Sequence, residues 1–228
     1  LKKGIPVTWI SETGKFFGRL DSTMQVNVFK HRQQILLQEK EGFFLQLCRK
    51  VVLAKIHNQL TVLRRYNRTL KSNNVEVAIQ NILSLRKDIF TAEDSPALMG
   101  YEGIIARIYF AAMGEIVPQH FLFTKRTKQP PTDPVNSMLS FGYTLLMYEI
   151  YTAILNQGLH PYFGFFHKLK NKHPALASDL LEEWRAVIID SMVMSLVQHH
   201  EVKTEHFQEN KDTAGVYLTR EGRKIFLH

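Results

Sequence analysis

The segment Leu53-Ala54-Lys55-Ile56-His57-Asn58-Gln59-Leu60-Thr61-Val62-Leu63 decides the fold class. Leu53, Ile56, Leu60 and Leu63 recur at a 3-4-3 spacing, the stripe that a helix presents to a core. The surrounding stretch, His31 to Leu70, holds no proline and one glycine. Its other faces carry Arg49, Lys50, Lys55, Arg64, Arg65 and Arg68, with Lys71 just beyond. Further along, Val75 to Phe90 reads as a second helix. Ser95-Pro96 reads as a cap followed by a first-turn proline, opening a third helix that runs to about Val117. Asp133-Pro134 repeats that signal and opens a long apolar helix ending at Gly158. Pro174 starts another, reaching about Gln198.

The first thirty residues follow a different period. Val7-Thr8-Trp9-Ile10 and Phe16-Phe17-Gly18-Arg19-Leu20 are strand-like, with Gly14 placed in a turn between them. A lone hairpin is not stable in water. Residues 1–24 are therefore expected to be the end of an N-terminal β domain with its linker, and residues 25–228 a large α-helical domain. The fold class is mainly α with a short β-hairpin remnant. The chain opens at Leu1 without an apolar signal core and reads as a fragment. Near the other end, short extended pieces surround Phe207 and Val216-Tyr217-Leu218, and Thr219-Arg220-Glu221-Gly222 can begin a final helix.

Composition narrows the classes. The 228 residues are 45% hydrophobic, enough for a true core, and 22% charged, too few for a mostly disordered chain. The single cysteine, Cys48, excludes an internal disulfide and a cysteine-based zinc site. Twenty-nine Lys and Arg against 21 Asp and Glu give a net charge of +8, which favours a polyanion as partner. Met138 to Leu155 is apolar enough to raise a membrane span. Glu149 near its middle argues instead for a buried helix of a soluble domain.

Four groups of residues carry chemistry. Glu102 lies among Leu98, Met99, Ile105, Ala106 and Tyr109 on its helix, an apolar stripe where a carboxylate needs a partner. That partner is Arg107 or a residue on another helix, unless Glu102 is a functional acid. On the helix after Pro174, Asp179, Glu182, Glu183 and Asp190 fall within about a third of the circumference, opposite Leu180, Trp184, Val187 and Ile188. These acids read either as a solvated face or, on a basic protein, as a divalent-cation site beside bound phosphate. His167 ends the aromatic run Phe163-Gly164-Phe165-Phe166-His167 and is either structural or a ligand. His199, His200 and His206, near Glu201 and Glu205, form no closed ligand pattern.

Four patches together resemble the CRISPR-associated Cas1 integrase family. They are Glu102-Gly103-Ile104-Ile105-Ala106-Arg107-Ile108-Tyr109-Phe110, Asp133 to Tyr143, Gly158 to His167 and Pro174 to Arg185, with a familiar tail at Tyr217 to Lys224. The likeness covers nearly the whole chain. Lys172-His173 stands where the family often has Gly-Arg, and Trp184 where it has Phe.

The resemblance implies metal ligands at Glu102, His167 and Glu182, a further catalytic acid at Asp179, and Mn²⁺ or Mg²⁺ as cofactor. It implies an endonuclease and integrase of spacer acquisition, in which a prespacer 3′-hydroxyl attacks a phosphodiester at the edge of a CRISPR repeat. Lys125, Arg126, Lys128, Lys168, Lys170 and Lys172 are the candidate DNA-backbone contacts. The implied partners are double-stranded DNA, the small protein Cas2 and a second copy of the chain, within a larger complex in a prokaryotic cytoplasm and without a membrane. Two other readings stand beside it. One is a non-catalytic helical DNA-binding module of the same assembly, against which the complete ligand set argues. The other is a membrane-surface or polyanion binder, against which the acidic helix argues.

Overall fold

The structure is a computed structural model that describes residues 7–11, 16–20 and 26–228. It is mainly helical. Strands β1 (Val7–Ile10) and β2 (Phe16–Leu20) pair antiparallel, in the register Val7 to Leu20, with an irregularity between Trp9 and Ile10. Trp9 and Phe17 are exposed on this hairpin. Gly14, assigned to the connecting turn, lies outside the described residues.

Helix α1 (Val28–Gln38) is capped by Asn27, whose side chain accepts from the Lys30 amide. The proline-free stretch does not run on as one rod; it breaks at Glu39-Lys40, and α2 (Glu41–Leu70) follows. At 1.5 Å per residue its 30 residues span roughly 45 Å. Lys71 closes it in the left-handed conformation, φ 53°. Helix α3 (Asn73–Thr91) returns along it, with Ser72 as cap. Helix α4 (Ser95–Ile116) is capped by Asp94 rather than Ser95, because the Asp94 carboxylate accepts from the Ala97 amide at 2.8 Å. Asp133 caps α5 (Pro134–Asn156) with Pro134 in the first turn.

Helix α6 (Ala175–Arg185) passes through a π-helical turn, Ala186–Asp190, into α7 (Ser191–Gln198). Strands β3 (Phe207–Asn210) and β4 (Gly215–Leu218) form a second antiparallel hairpin, and α8 (Arg220–Leu227) ends the chain.

Helices α2, α3 and α4 pack on one another, while α6 lies between α2 and α5. Ile56, Leu60 and Leu63 of the predicted stripe are buried, together with Ile82, Leu98, Ile105 and Met138 from the neighbouring helices. Helix α5 is long and apolar enough to cross a membrane by length and composition, yet it packs against α6, the π turn and β4. Its first half, from Val135 to Tyr143, supplies most of its buried residues.

One position on α5 must be glycine for that packing. A Cβ on Gly142 would lie 2.6 Å from Cγ2 of Ile189 in the π turn and 2.9 Å from Cζ of Phe226 in α8. Gly142→Ala is expected to cost about 1–3 kcal/mol of stability in urea unfolding, through overpacking. Gly100→Ala, with open space around its Cβ on exposed α4, should be neutral or gain up to about 1 kcal/mol from helix propensity.

Candidate active site

Three helices meet at a buried ion cluster. Lys55, near the middle of α2 beside Ile56, is 3% exposed. Its ammonium pairs with Oε1 of Glu102 on α4 and with Oε2 of Glu182 on α6. Arg185, also buried, donates to both oxygens of Glu182 at 3.1 and 3.2 Å. So the partner of Glu102 is a lysine on another helix, and Arg107 lies exposed.

The acidic side of α6 faces inward, contrary to a solvated reading. Asp179, Glu182 and Asp190 are buried, while Trp184 and Ile188 on the opposite side are exposed. Burial of carboxylates is tolerable only with partners. Burial raises the Glu182 pKa, but the charges of Arg185 and then Lys55 outweigh it and hold the carboxyl down at about 2. Asp190 takes hydrogen bonds from the hydroxyls of Tyr109, at 2.8 Å, and Tyr143. Burial pushes the Asp190 pKa up, and those tyrosine hydroxyls are pushed up as well. The Arg185 guanidinium lies 4.3 Å from the Tyr143 ring centroid, linking the two halves of the cluster.

Asp179 does different work. Its carboxylate accepts from three successive amides, Phe165 at 2.5 Å, Phe166 at 3.0 Å and His167 at 2.8 Å, and meets His167 Nδ1 at 2.8 Å. These bonds wrap the aromatic run around the start of α6. A Cβ on Gly164 would sit 2.5 Å from the Ala175 carbonyl carbon, so only glycine allows that approach. With Nδ1 on Asp179, the other ring nitrogen of His167, Nε2, is the one available to a ligand. This carboxylate–histidine pairing is the arrangement that fixes a metal-binding imidazole.

As the side chains stand, no three His, Cys, Asp or Glu among the described residues are close enough to share one ion. The donor types nonetheless suit a divalent cation. Glu102 and Glu182 converge on one cationic point, and His167, within electrostatic range of Glu182, has its Nδ1 held by Asp179. His199, His200 and His206 do not join them: His199 meets Ser195 Oγ, and the His206 ring accepts from the Lys203 amide. Cys48 is fully buried, and burial followed by the nearby Asp179 charge pushes its thiol up to about 12, so it is no nucleophile.

The predicted DNA contacts divide. Lys125, Lys128, Lys168, Lys170 and Lys172 are exposed. The last three flank His167 in the loop before α6. Lys128 is partly desolvated, lowering its pKa, and lies within electrostatic range of Arg185 and Glu182. Arg126 is corrected to a structural residue. It donates to Asn136 Oδ1 and Ser140 Oγ, both at 2.9 Å, and to the Thr127 carbonyl, which ties the basic loop to α5. Lys55 and Arg185 were not anticipated as site residues. The available signal was position: Lys55 and Gln59 fall between Val52, Ile56, Leu60 and Leu63 on the inward side of α2.

A cluster of acids and cations lies near a constrained histidine, on a basic and mainly helical scaffold. The chain belongs to the family described as CRISPR associated protein Cas1, whose pattern matches residues 1–228. It is 35% identical over 227 residues to the CRISPR-associated endonuclease Cas1 of Mycobacterium tuberculosis, covering 98% of this chain and 65% of that protein. It is also 35% identical to a Cas4/Cas1 exonuclease–endonuclease fusion of Geobacter sulfurreducens, covering 100% of this chain and 42% of the fusion. The chain thus spans just under two thirds of the M. tuberculosis protein. Among solved structures, it superposes with a TM-score of 0.84 and 28% identity on a Cas6-RT-Cas1–Cas2 complex, covering 100% of this chain and 25% of that one. A casposase bound to integration product shares the fold, with a TM-score of 0.85 at 24% identity, covering 99% of this chain and 62% of the other.

The depressed Glu182 pKa sets the sign of an acid response. Its contribution is present above the unfolded carboxylate value of about 4.5 and is lost as pH falls from there toward 2, on the order of 3 kcal/mol in all. Glu182→Gln should be less stable at pH 7 and lose less stability than the parent between pH 5 and pH 3, in denaturant titrations at each pH. Asp179→Asn should keep the helices but loosen the His167 loop, read as faster amide exchange at Phe165 to His167.

Proposed function

We propose that this chain is the helical catalytic part of a metal-dependent DNA endonuclease and integrase of CRISPR adaptation. The observation that carries the reading is the convergence of Glu102 and Glu182 on one buried cationic point, next to a histidine whose Nδ1 is held by Asp179. Membership of the Cas1 family supports it.

In this reading Glu102, Glu182 and His167 Nε2 hold Mn²⁺ or Mg²⁺, which when bound supplies Lewis-acid stabilisation of charge on the scissile phosphate. Asp179 is a positioning residue, since its oxygens are spent on three amides and the imidazole. A prespacer 3′-hydroxyl attacks a phosphodiester of the repeat. One P–O bond forms and one breaks; the attacking hydroxyl gives up its proton and the departing 3′-oxygen takes one up, leaving as a 3′-hydroxyl. The number of phosphodiesters is unchanged, so no energy source is needed. Lys125, Lys128, Lys168, Lys170 and Lys172 hold the backbone; such contacts position DNA without reading sequence. Double-stranded DNA, a Cas2 protein and a second copy of the chain complete the assembly, in a prokaryotic cytoplasm.

Glu102→Ala and His167→Ala should abolish strand transfer on a labelled prespacer while leaving the circular dichroism spectrum unchanged. Strand transfer by the folded double variant would refute the assignment. Asp179→Asn is expected to lower turnover strongly without abolishing metal binding in calorimetry.

A further inference from the structure

The position between Glu102 and Glu182 is held by the chain itself. Lys55 is buried, and its ammonium contacts one oxygen of each carboxylate. Glu182 has a second cation, Arg185, on both oxygens. Glu102 has no bonding partner but Lys55 among the described residues. Two carboxylates that converge on a mostly buried point repel each other unless a cation sits between them. Nothing in ordinary helix packing calls for a lysine there: Val52, Ile56 and Leu60 around it are buried apolar residues.

We infer that Lys55 is a tethered counter-cation that holds the carboxylate pair of Glu102 and Glu182 together before a divalent ion arrives, and that it competes with that ion for them. The inference rests on the catalytic reading above and adds a property to the same site. Like charges a few ångströms apart repel, and more strongly away from water, so the lysine lowers affinity for a divalent ion. In exchange it keeps the pocket formed, so the protein reaches its DNA with the site assembled. The lysine thereby sets a threshold of metal concentration, below which the site stays closed by its own side chain.

The test uses Mn²⁺ alone as probe, in the purified protein, by calorimetry and by thermal unfolding in chelator. Wild type should bind Mn²⁺ in a manner that Glu102→Ala abolishes; binding indifferent to Glu102→Ala would overturn the catalytic reading together with this one. Lys55→Met should raise Mn²⁺ affinity by at least about tenfold and lower the melting temperature of the metal-free protein. Unchanged or weaker Glu102-dependent binding in Lys55→Met would overturn the counter-cation role while leaving the catalytic reading in place. Glu102→Gln decides the matter independently, should Lys55→Met not fold. In chelator its melting temperature should fall, because a bridge to lysine is lost. A rise would mean that the carboxylates repel without relief from Lys55, and the inference would be wrong.

Discussion

The bridge from Lys55 to Glu102 and Glu182 is the constraint around which the helical domain is organised. It joins α2, α4 and α6 at one point, and each of those helices carries a charge that it could not bury alone. Removing one member of such a cluster leaves an uncompensated buried charge, which costs far more than the pair contributes net. The cluster therefore acts less as glue than as a specification. Only the register that brings all three side chains together is acceptable, and the apolar residues around it are compatible with many registers. Arg185 extends the same logic to Tyr143 and Asp190, so that charge, hydrogen bond and ring stacking run continuously from α4 to the π turn.

Around this cluster the labour is divided between two kinds of acid on one helix. Asp179 and Glu182 lie three residues apart and face the same way, yet the first is consumed by backbone amides and the second by mobile-headed cations. A carboxylate bound by amides cannot exchange its partners without unfolding the loop. A carboxylate bound by lysine can. The difference separates the residue that builds the His167 loop from those able to take a new ligand.

Much of this architecture is legible in the residues. The stripe of Leu53, Ile56, Leu60 and Leu63, the Asp133-Pro134 start and the hairpin at the N-terminal end all follow from local periodicity and capping, and the structure has them. Glu102, His167, Asp179 and Glu182 were singled out in the sequence because each is chemically conspicuous, and family resemblance drew them together. What local pattern could not supply was orientation. An amphipathic helix has two faces, and hydrophobicity says that Trp184 and Ile188 go inward; along α6 and the π turn they are exposed, and Asp179, Glu182 and Asp190 are buried. That inversion is set by Lys55 and Arg185, which lie 130 positions apart in the chain by sequence position, so no window along the sequence contains both. The same limit hid Arg126, which looks like a DNA-facing cation until the amide of Asn136 and the hydroxyl of Ser140 are seen to take it.

The π turn at Ala186–Asp190 sets how the chain can vary in length. Its hydrogen bonds close one residue wider than those of an α-helix, so it accommodates an extra residue between α6 and α7. Asp190, the last residue of that turn, takes the hydroxyls of Tyr109 and Tyr143, and Val193 and Val197 just beyond it are buried, so any change of length there has to keep their direction. The exposed turn between β3 and β4, at residues 211–214, meets no such condition. A change of chain length is therefore far less disruptive at that turn than at residues 186–190.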